Sequence, residues 1–213
     1  MPADEVIETG SLTIRRTSVS EMDNNCYLLT CRSTGEQLLV DAADDAEALL
    51  ALVREGSPTG RLDTVVTTHG HWDHHRALAG VVAATGARTT AGEDDAPDLP
   101  VPVDVLLQHG DVVRVGEVDL DVIHLRGHTP GSVALVHRGR DGSTHLFSGD
   151  SLFPGGVGNT GGDAVRFTSL MDDVERRVFD VLPDDTVVHP GHGAATTLGT
   201  ERPHLSEWRE RGW

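Results

Sequence analysis

The sequence predicts an α+β fold in which two β-sheets pack face to face with helices on the outside. Runs rich in β-branched residues alternate with segments whose apolar residues recur at helical spacing. In addition, strands followed by helices occur once in each half of the chain. With 213 residues, 38% of them apolar, we expect a single domain spanning residues 1–213 that is large enough to bury a core.

The first half of the chain begins with short strands and then alternates between helices and strands. A helix over Asp44–Arg54 places its apolar residues on one face and ends at Gly56, a typical C-terminal cap. A strand with an apolar centre, Leu62–Thr68, precedes the helical pattern of Arg76–Thr85. The remaining predicted elements are strands at Ser11–Arg15, Cys26–Thr30, Gln37–Val40 and Arg88–Thr90, and an acidic, Pro-rich loop at Glu93–Pro102.

The second half repeats this order. The spacing of Ser169 and Asp172 resembles a capping box and predicts a helix from there through Leu182. The Gly-rich stretch Leu152–Gly162 predicts a loop, and Thr200–Arg211 a terminal helix. The predicted strands are Val112–Val115, Val118–Leu125, Ser132–Val136, Thr144–Phe147 and Thr186–Val188.

Charge and composition exclude several classes of protein. The chain has 34 acidic and 17 basic residues, a net charge of −17, and every basic residue is Arg. We expect no nucleic-acid partner, because phosphates bind cations, and no membrane partner, because no apolar run approaches the roughly 20 residues of a membrane span. The first residues lack a secretory signal, and Cys26 and Cys31 are too far apart on one strand to form a disulfide. These features predict a cytoplasmic protein, and they leave its oligomeric state open.

Four potential metal ligands follow the predicted strand Leu62–Thr68 in the segment T-H-G-H-W-D-H-H. Imidazole nitrogens and carboxylate oxygens suit a divalent ion such as zinc. In extended backbone His69 and His71 lie on the same side, whereas Asp73 and His74, after a change in chain direction, can face a second ion. The segment therefore predicts a metal centre at the end of this strand.

Three further ligand-like residues stand in similar settings: His128 in G-H-T-P-G-S, Asp150 in F-S-G-D and His192 in H-P-G-H-G. Each follows a predicted strand and lies at a Gly-containing turn, where binding groups are often found. Together with the first segment they predict a centre with two divalent metal ions. Zinc is the first expectation, with iron or manganese as alternatives.

These motifs resemble those of the metallo-β-lactamase-fold hydrolases, and more narrowly those of the glyoxalase II (hydroxyacyl-thiol hydrolase) branch. The similarity extends to D-N-N-C-Y-L-L (Asp23–Leu29), L-V-D-A (Leu39–Ala42) and T-T-L-G-T-E-R-P-H-L (Thr196–Leu205). It implies a four-layer αβ/βα sandwich of two mixed β-sheets with the metal site at one edge. Full-length glyoxalase II enzymes carry a C-terminal helical domain whose basic residues hold glutathione. We expect that domain to be missing, because a short, Lys-free segment follows His192.

The resemblance also implies a role for each ligand residue. Three histidines would bind one metal ion, an aspartate and two histidines would bind the other, and a second aspartate would bridge the ions. The two aspartates are the expected catalytic residues. The first ion would be bound by His69, His71 and His128, the second by Asp73, His74 and His192, and both by Asp150.

The implied function is hydrolysis of a thioester of a small thiol, such as S-acyl or S-formyl glutathione or mycothiol. Two ions that share a water lower its pKa towards neutrality, so that a metal-bound hydroxide attacks the carbonyl, and one ion stabilises the developing oxyanion. A thiolate, with a pKa of about 8.5, leaves without prior protonation. Mycothiol is included because the Lys-free, Ala- and Gly-rich composition is typical of a GC-rich genome and so of an actinobacterium.

Other activities fit the same residues. Persulfide dioxygenases share the fold and hold one iron ion through two histidines and an aspartate, here His69, His128 and Asp150, which leaves positions open for oxygen. A lactonase or another small-ester hydrolase would need the same hydroxide as a thioesterase. A binding protein that has lost turnover is a further hypothesis.

Residues outside the ligand set receive secondary expectations. Asn25, Phe153 and Asn159 are candidates for substrate contacts, and His189 for orienting a metal ligand. His124 is expected to be structural, and the role of His75 stays open. The remaining expectations are surface positions for His109, His137, His145 and His204, and packing of the terminal helix by Trp208 and Trp213.

Overall fold

The first half of the chain forms a seven-stranded mixed sheet in the computed structural model, which describes residues 3–57 and 59–212. Trp213, predicted to pack against the terminal helix, therefore lies outside the described residues. The strands lie side by side in chain order, antiparallel among the first four and parallel among the last four. They are β1 (Glu5–Glu8), β2 (Leu12–Val19), β3 (Asn24–Cys31), β4 (Gln37–Val40), β5 (Thr64–Thr67), β6 (Arg88–Gly92) and β7 (Val105–Leu107).

The second half forms a six-stranded mixed sheet. Its strands are β8 (Val112–Val115), β9 (Val118–His124), β10 (Val133–Arg138), β11 (Thr144–Gly149), β14 (Val187–Pro190) and β15 (Thr196–Thr197). The order across the sheet is β15-β14-β11-β10-β9-β8; the β11–β14 pair is parallel and the other pairs are antiparallel. A small hairpin of β12 (Leu152–Phe153) and β13 (Gly156–Val157) follows β11.

Helices cover the outer faces of both sheets. They are α1 (Ala46–Gly56), α2 (Leu78–Thr85), α3 (Ala164–Val174, continued by a π-helical turn over Glu175–Phe179), α4 (Leu198–Glu201) and α5 (Leu205–Arg211). Leu29 of β3 packs between the sheets in one apolar cluster with Phe147 of β11. Leu28, on the opposite face of the same strand, packs in a cluster with α1 and α2. A third cluster joins α3 and α5 to the second sheet. The predicted α+β sandwich of two mixed sheets with helices outside is confirmed.

Three edge strands and one hairpin were not predicted. One of the strands, β15, is only two residues long and lies at an edge of the second sheet. β1 and β7 lie at the two edges of the first sheet, and most of their residues are exposed, so they lack the alternating apolar pattern of a half-buried strand. The β12–β13 hairpin lies within the Gly-rich stretch predicted as a loop. α2 begins at Leu78 rather than Arg76, because the N–H groups of Arg76 and Ala77 donate to carbonyl groups of the loop after β4.

The predicted helix start at Ser169 is wrong. Asp163 caps α3, and its side chain accepts hydrogen bonds from the N–H groups of Val165 and Arg166. Ser169 lies inside α3, so its spacing to Asp172 is not a capping box. The predicted terminal helix is also divided, because a 3₁₀ turn that contains a proline separates α4 from α5.

Two histidines that were predicted at the surface are buried. His137 of β10 and His145 of β11 are 0% and 4% exposed and pair across the two strands. Nδ1 of His145 lies 3.0 Å from Nε2 of His189 in β14, and the three rings stack in a row. The prediction failed because these strands lie inside the sheet, where neighbouring polar groups such as the Thr9 hydroxyl, 3.3 Å from His137 Nε2, accommodate a buried ring.

Other expectations for the surface and the core are confirmed. His109 and His204 are exposed, and Trp208 is buried in the cluster beneath α3. Cys26 and Cys31 are both free and buried. Across residues 3–57 and 59–212, every helix falls short of the length and hydropathy of a membrane span.

The buried histidine row predicts that the protein loses stability below neutral pH. Burial lowers the pKa of His137 to about 4 and that of His189 to about 3 from an ordinary value of 6.5. Below pH 6.5 the unfolded chain therefore binds protons that the folded chain does not. The free energy of unfolding falls as the pH decreases towards 4, by up to about 1.4 kcal/mol per pH unit for each histidine.

Urea unfolding of metal-free protein between about pH 7.5 and pH 5 measures this slope. The His137→Gln variant should show a shallower slope, whereas His204→Gln, at an exposed position, should match the unmodified protein. Equal slopes in His137→Gln and the unmodified protein would contradict the explanation.

Candidate metal centre

The segment 68–74 leaves β5 at the edge where the carboxyl ends of the parallel strands meet. The backbone is extended at His71, and a 3₁₀ turn over Trp72–His74 then changes the chain direction. His69 and His71 come from the extended part, and Asp73 and His74 from the turn, as the spacing predicts. His71 is exposed and the other three side chains are buried.

The other three predicted ligand residues come from the second sheet. His128 follows β9, Asp150 follows β11 and His192 follows β14. Because β11 and β14 are parallel, Asp150 and His192 emerge at the same edge. Gly149 has φ of 50°, and a Cβ atom there would lie 2.7 Å from the hydroxyl of Thr68, so a glycine is needed where the two segments pass closely.

The ligand atoms of all seven predicted residues converge in three overlapping groups. Within each group the nitrogen and oxygen atoms lie within 4.8 Å of one another. Asp150 lies between the sets, since its carboxylate oxygens are 3.4 Å from Nε2 of His74 and 3.7 Å from Nε2 of His128. The assignment of each residue to one ion stays a prediction. The groups are His69, His71 and His128; His69, His74 and Asp150; and Asp73, His74 and His192.

Three buried atoms at the centre of the cluster make no hydrogen bond. They are Nε2 of His69, Nε2 of His128 and Oδ1 of Asp150. A buried polar atom without a partner costs about 1–3 kcal/mol, and such atoms are rare in native proteins. Imidazole and carboxylate are also the donor types of divalent-metal sites. The residues present therefore fit a metal ion.

Four of the histidines use their Nδ1 atoms for contacts behind the site. A carbonyl or carboxylate oxygen accepts from Nδ1–H in three cases, and in the fourth the Thr68 hydroxyl accepts, because its own hydrogen goes to Asp41. These bonds leave each Nε2 lone pair directed at the centre, the usual arrangement of metal-binding histidines. The pairs are His69 with Thr68 at 3.1 Å, His74 with Asp41 at 2.8 Å, His128 with the carbonyl of Asn159 at 2.7 Å, and His192 with the carbonyl of Met22 at 2.7 Å.

Two residues of this outer layer received no role in the sequence analysis. Asp41 is buried, and its Oδ1 accepts a 2.7 Å hydrogen bond from the Thr68 N–H while Oδ2 contacts His74. Asn24 donates to Oδ2 of Asp73 at 3.0 Å. Asp41 lies in L-V-D-A and Asn24 in D-N-N-C-Y-L-L, two segments that carry the family resemblance. Their place in these segments was the available signal for either residue.

The charges within the cluster are strongly coupled. Burial alone would lower the pKa of His74, but the carboxylates of Asp41 and Asp150 raise it to about 10. Burial would raise the pKa of Asp150, but the imidazoles of His192 and His74, each 3.4 Å from a carboxylate oxygen, hold it well below its usual range. Burial lowers the pKa of His69 and of His128. The Asp150 carboxylate is thus ionised and the imidazoles of His69 and His128 are neutral, the forms that bind metal ions, whereas His74 must release its proton when a metal ion binds.

Asn25 and His189 lie behind the cluster. The Asn25 side chain is buried and donates to the carbonyls of Pro190 at 3.0 Å and Gly193 at 2.8 Å, which holds the loop that carries His192. The hydrogen bond of His189 goes to another histidine of the second sheet. The structure therefore gives His189 a place in the sheet interior rather than contact with a ligand residue, contrary to the expected orienting role.

Phe153 and Asn159 lie on the segment beside His128, Phe153 half-buried and Asn159 exposed. Their role as substrate contacts stays a prediction. His75 and His124 each hydrogen-bond a backbone carbonyl, at 3.2 and 2.8 Å. Both therefore support loops next to the cluster, and the expected structural role of His124 fits this contact.

Comparison with known proteins places this fold and cluster in one family. The sequence profile described as the metallo-beta-lactamase superfamily matches residues 19–192, a stretch that includes every residue of the cluster. The chain belongs to the metallo-β-lactamase superfamily.

Individual relatives show the range of similarity. A hydroxyacylglutathione hydrolase of Polaromonas sp. (strain JS666) is 37% identical over 170 residues, which cover 78% of this chain but 60% of that protein. The chain thus spans about three fifths of the length of that curated relative. Two solved structures share the fold. BLEG-1 B3 metallo-beta-lactamase has a TM-score of 0.79 and 27% identity, over 92% of this chain and 99% of its own. ETHE1 from Myxococcus xanthus has a TM-score of 0.77 and 28% identity, over 92% and 84%.

Replacing Asp150 by Ala should remove the group that lies between the two sets of histidines. We expect the purified Asp150→Ala variant to lose most of its bound metal. Its metal affinity should fall more than about 100-fold, a larger loss than that caused by removing a residue that only orients a ligand. Metal analysis by mass spectrometry measures this. Asp119→Ala, which removes an exposed carboxylate paired with Arg114, is the control. Full metal content in Asp150→Ala would refute the role of Asp150.

Replacing Asp41 by Asn tests the outer layer separately. The amide keeps an oxygen for the Thr68 N–H but removes the charge that orients His74, so metal affinity should fall about 10–100-fold. Competition with a chromophoric chelator measures the affinity. Asp44→Asn, a half-buried change on the same loop that removes an ion pair with Arg76, should leave it unchanged. An unaltered affinity in Asp41→Asn would show that His74 is held without this carboxylate.

Proposed function

We propose that the protein hydrolyses a thioester of a small thiol with the help of two divalent metal ions. The observation that supports this most directly is the convergence of seven His and Asp side chains, with unpartnered Nε2 atoms on His69 and His128 and an unpartnered oxygen on Asp150. The similarity to hydroxyacylglutathione hydrolases over 78% of the chain supports the thioester class.

We assign the residues of the cluster to two ions. When bound, the ions would supply an activated water as the nucleophile and polarise the carbonyl of the substrate. Zinc fits the imidazole and carboxylate donors first, and iron or manganese are the alternatives. His69, His71 and His128 would hold one ion, Asp73, His74 and His192 the other, and Asp150 would contact both.

The protein's own residues keep the site in a reactive form. Asp41 fixes the ring of His74 through Nδ1, and the Asn159 carbonyl does the same for His128. The low pKa of Asp150 keeps its carboxylate charged near neutral pH. A thiolate has a pKa of about 8.5 and departs without a general acid, so the reaction needs no further titratable group.

Several substrates fit this chemistry. An S-acyl or S-formyl derivative of glutathione or mycothiol is the first proposal, and lactones or other small esters would react by the same route. The absence of Lys from the chain removes one of the usual cations for binding a glutathione carboxylate, so recognition of an anionic thiol would rest on arginine.

A second candidate function is a persulfide dioxygenase with one iron ion. It is favoured by a specific observation, since the three unpartnered buried atoms belong to His69, His128 and Asp150, the two histidines and one aspartate that such a site would use. The intact second set of Asp73, His74 and His192 favours the hydrolase.

A substrate panel on protein of known metal content distinguishes the two functions. We expect close to two metal ions per chain and release of free thiol from lactoyl- or formyl-thioesters of glutathione or mycothiol, with rates at least about 100-fold lower in Asp150→Ala than in Asp119→Ala. One iron per chain, with oxygen uptake on glutathione persulfide and no thioester cleavage, would instead establish the dioxygenase.

A further inference from the structure

A cavity of about 340 Å³ lies beside His128 at the edge of the sandwich that carries the ligand cluster. The residues on both sides of this histidine, Gly127 and Thr129, line it, and α3 supplies the opposite wall through Val165 and Arg166. Val165 is 79% exposed and gives this wall of the cavity an apolar surface. The cavity is therefore suited to a substrate group attached to the reacting carbonyl or sulfur.

Arg166 is fixed next to the predicted metal ligand by backbone contacts. Its Nε donates to the carbonyl of Gly127 at 2.8 Å, and its Nη2 donates to the carbonyl of His128. These bonds restrict a side chain that is otherwise flexible and exposed, so less conformational entropy is lost when it binds a ligand. Two hydrogen bonds leave three N–H groups of the guanidinium for a further acceptor.

The guanidinium of Arg166 forms no salt bridge with the described residues, although its charge helps to lower the pKa of Asp163 at the start of α3. Within residues 3–57 and 59–212, no carboxylate lies at salt-bridge distance from its guanidinium, whereas Arg126, on the same cavity wall, pairs with both oxygens of Asp173 at 2.8 Å. In a chain with a net charge of −17, such a cation attracts an anion to a surface that otherwise repels it. The carboxylate of Asp94, which is exposed and lines the same cavity, repels an anion.

We infer that this cavity binds a carboxylate of the substrate, with Arg166 as the anion-binding residue and Val165 covering the apolar part of the same group. The inference rests on the proposed thioester hydrolysis and narrows it to thioesters that carry a carboxylate. Guanidinium is the side chain best suited to this task, because its planar N–H groups bind both carboxylate oxygens.

Two matched thioesters test the inference. They share the acyl group and the sulfur, and one ends in a carboxylate where the other ends in the neutral primary amide. We expect Arg166→Gln to raise KM for the carboxylate substrate about tenfold and to change KM for the amide less than about twofold, with kcat similar for both. Asp94→Asn should lower KM for the carboxylate substrate. Arg114→Gln, which breaks an exposed ion pair with Asp119, should alter neither.

Binding of the corresponding non-hydrolysable thioethers, measured by calorimetry, repeats the comparison without catalysis. If Arg166→Gln lowers the affinity for the carboxylate and for the amide equally, the inference is overturned, because Arg166 would then only hold the His128 loop. If Arg166→Gln does not fold, Arg166→Lys and Asp94→Asn test the inference instead. The inference is supported if Arg166→Lys still binds the carboxylate thioether more tightly than the amide and if Asp94→Asn binds the carboxylate more tightly than the unmodified protein does. It is refuted if these variants bind the carboxylate and the amide equally. If the unmodified protein cleaves neither thioester, the proposed function fails, but thioether binding still tests the cavity.

Discussion

Two imidazole nitrogens face each other at the centre of the ligand cluster, Nε2 of His74 and Nε2 of His192, 3.1 Å apart. Their Nδ1 atoms donate to Asp41 and to the carbonyl of Met22, so both Nε2 atoms present lone pairs unless a cation lies between them. The Asp150 carboxylate lies 3.4 Å from each. A proton on one of these rings supplies such a positive charge, and the pKa values of His74 and His192 are accordingly raised. Divalent ions would stabilise the cluster further, because they would also bind its unpartnered atoms.

The fold holds these mutually repelling groups together by bonds between its two sheets. Asn25 and Tyr27 of β3 both donate to the carbonyl of Pro190 in the second sheet, at 3.0 and 2.7 Å. Asn25 also donates to Gly193, so the loop of His192 is bonded on both sides of the ligand. Because side chains packed in this way have little freedom to relax, the sandwich pre-organises the site, and no long movement is needed for the ligand atoms to meet.

The ligand set defines the family and the general chemistry but not the substrate. Imidazole and carboxylate donors at a shared edge serve hydrolysis and oxygenation alike, and one fold supports many activities. Selectivity lies in the segments that surround the ligand cluster. The wall beside His128 presents the unpaired guanidinium of Arg166 on a strongly acidic protein. This local reversal of charge is the feature that distinguishes substrates of different charge.

The sequence by itself determined the fold class and the seven candidate ligand residues. Strand and helix periodicities are local properties, and residues such as His69 and His128 stand in distinctive turns at strand ends, so both are readable from neighbours along the chain. Only the tertiary structure revealed the contact of Asp41 with His74, the burial of His137 and the cavity at Arg166. These features depend on which strands become neighbours and on what covers them. In the sequence, a polar residue at a strand end gives the same pattern whether its side chain contacts water, a histidine or the backbone of a metal ligand.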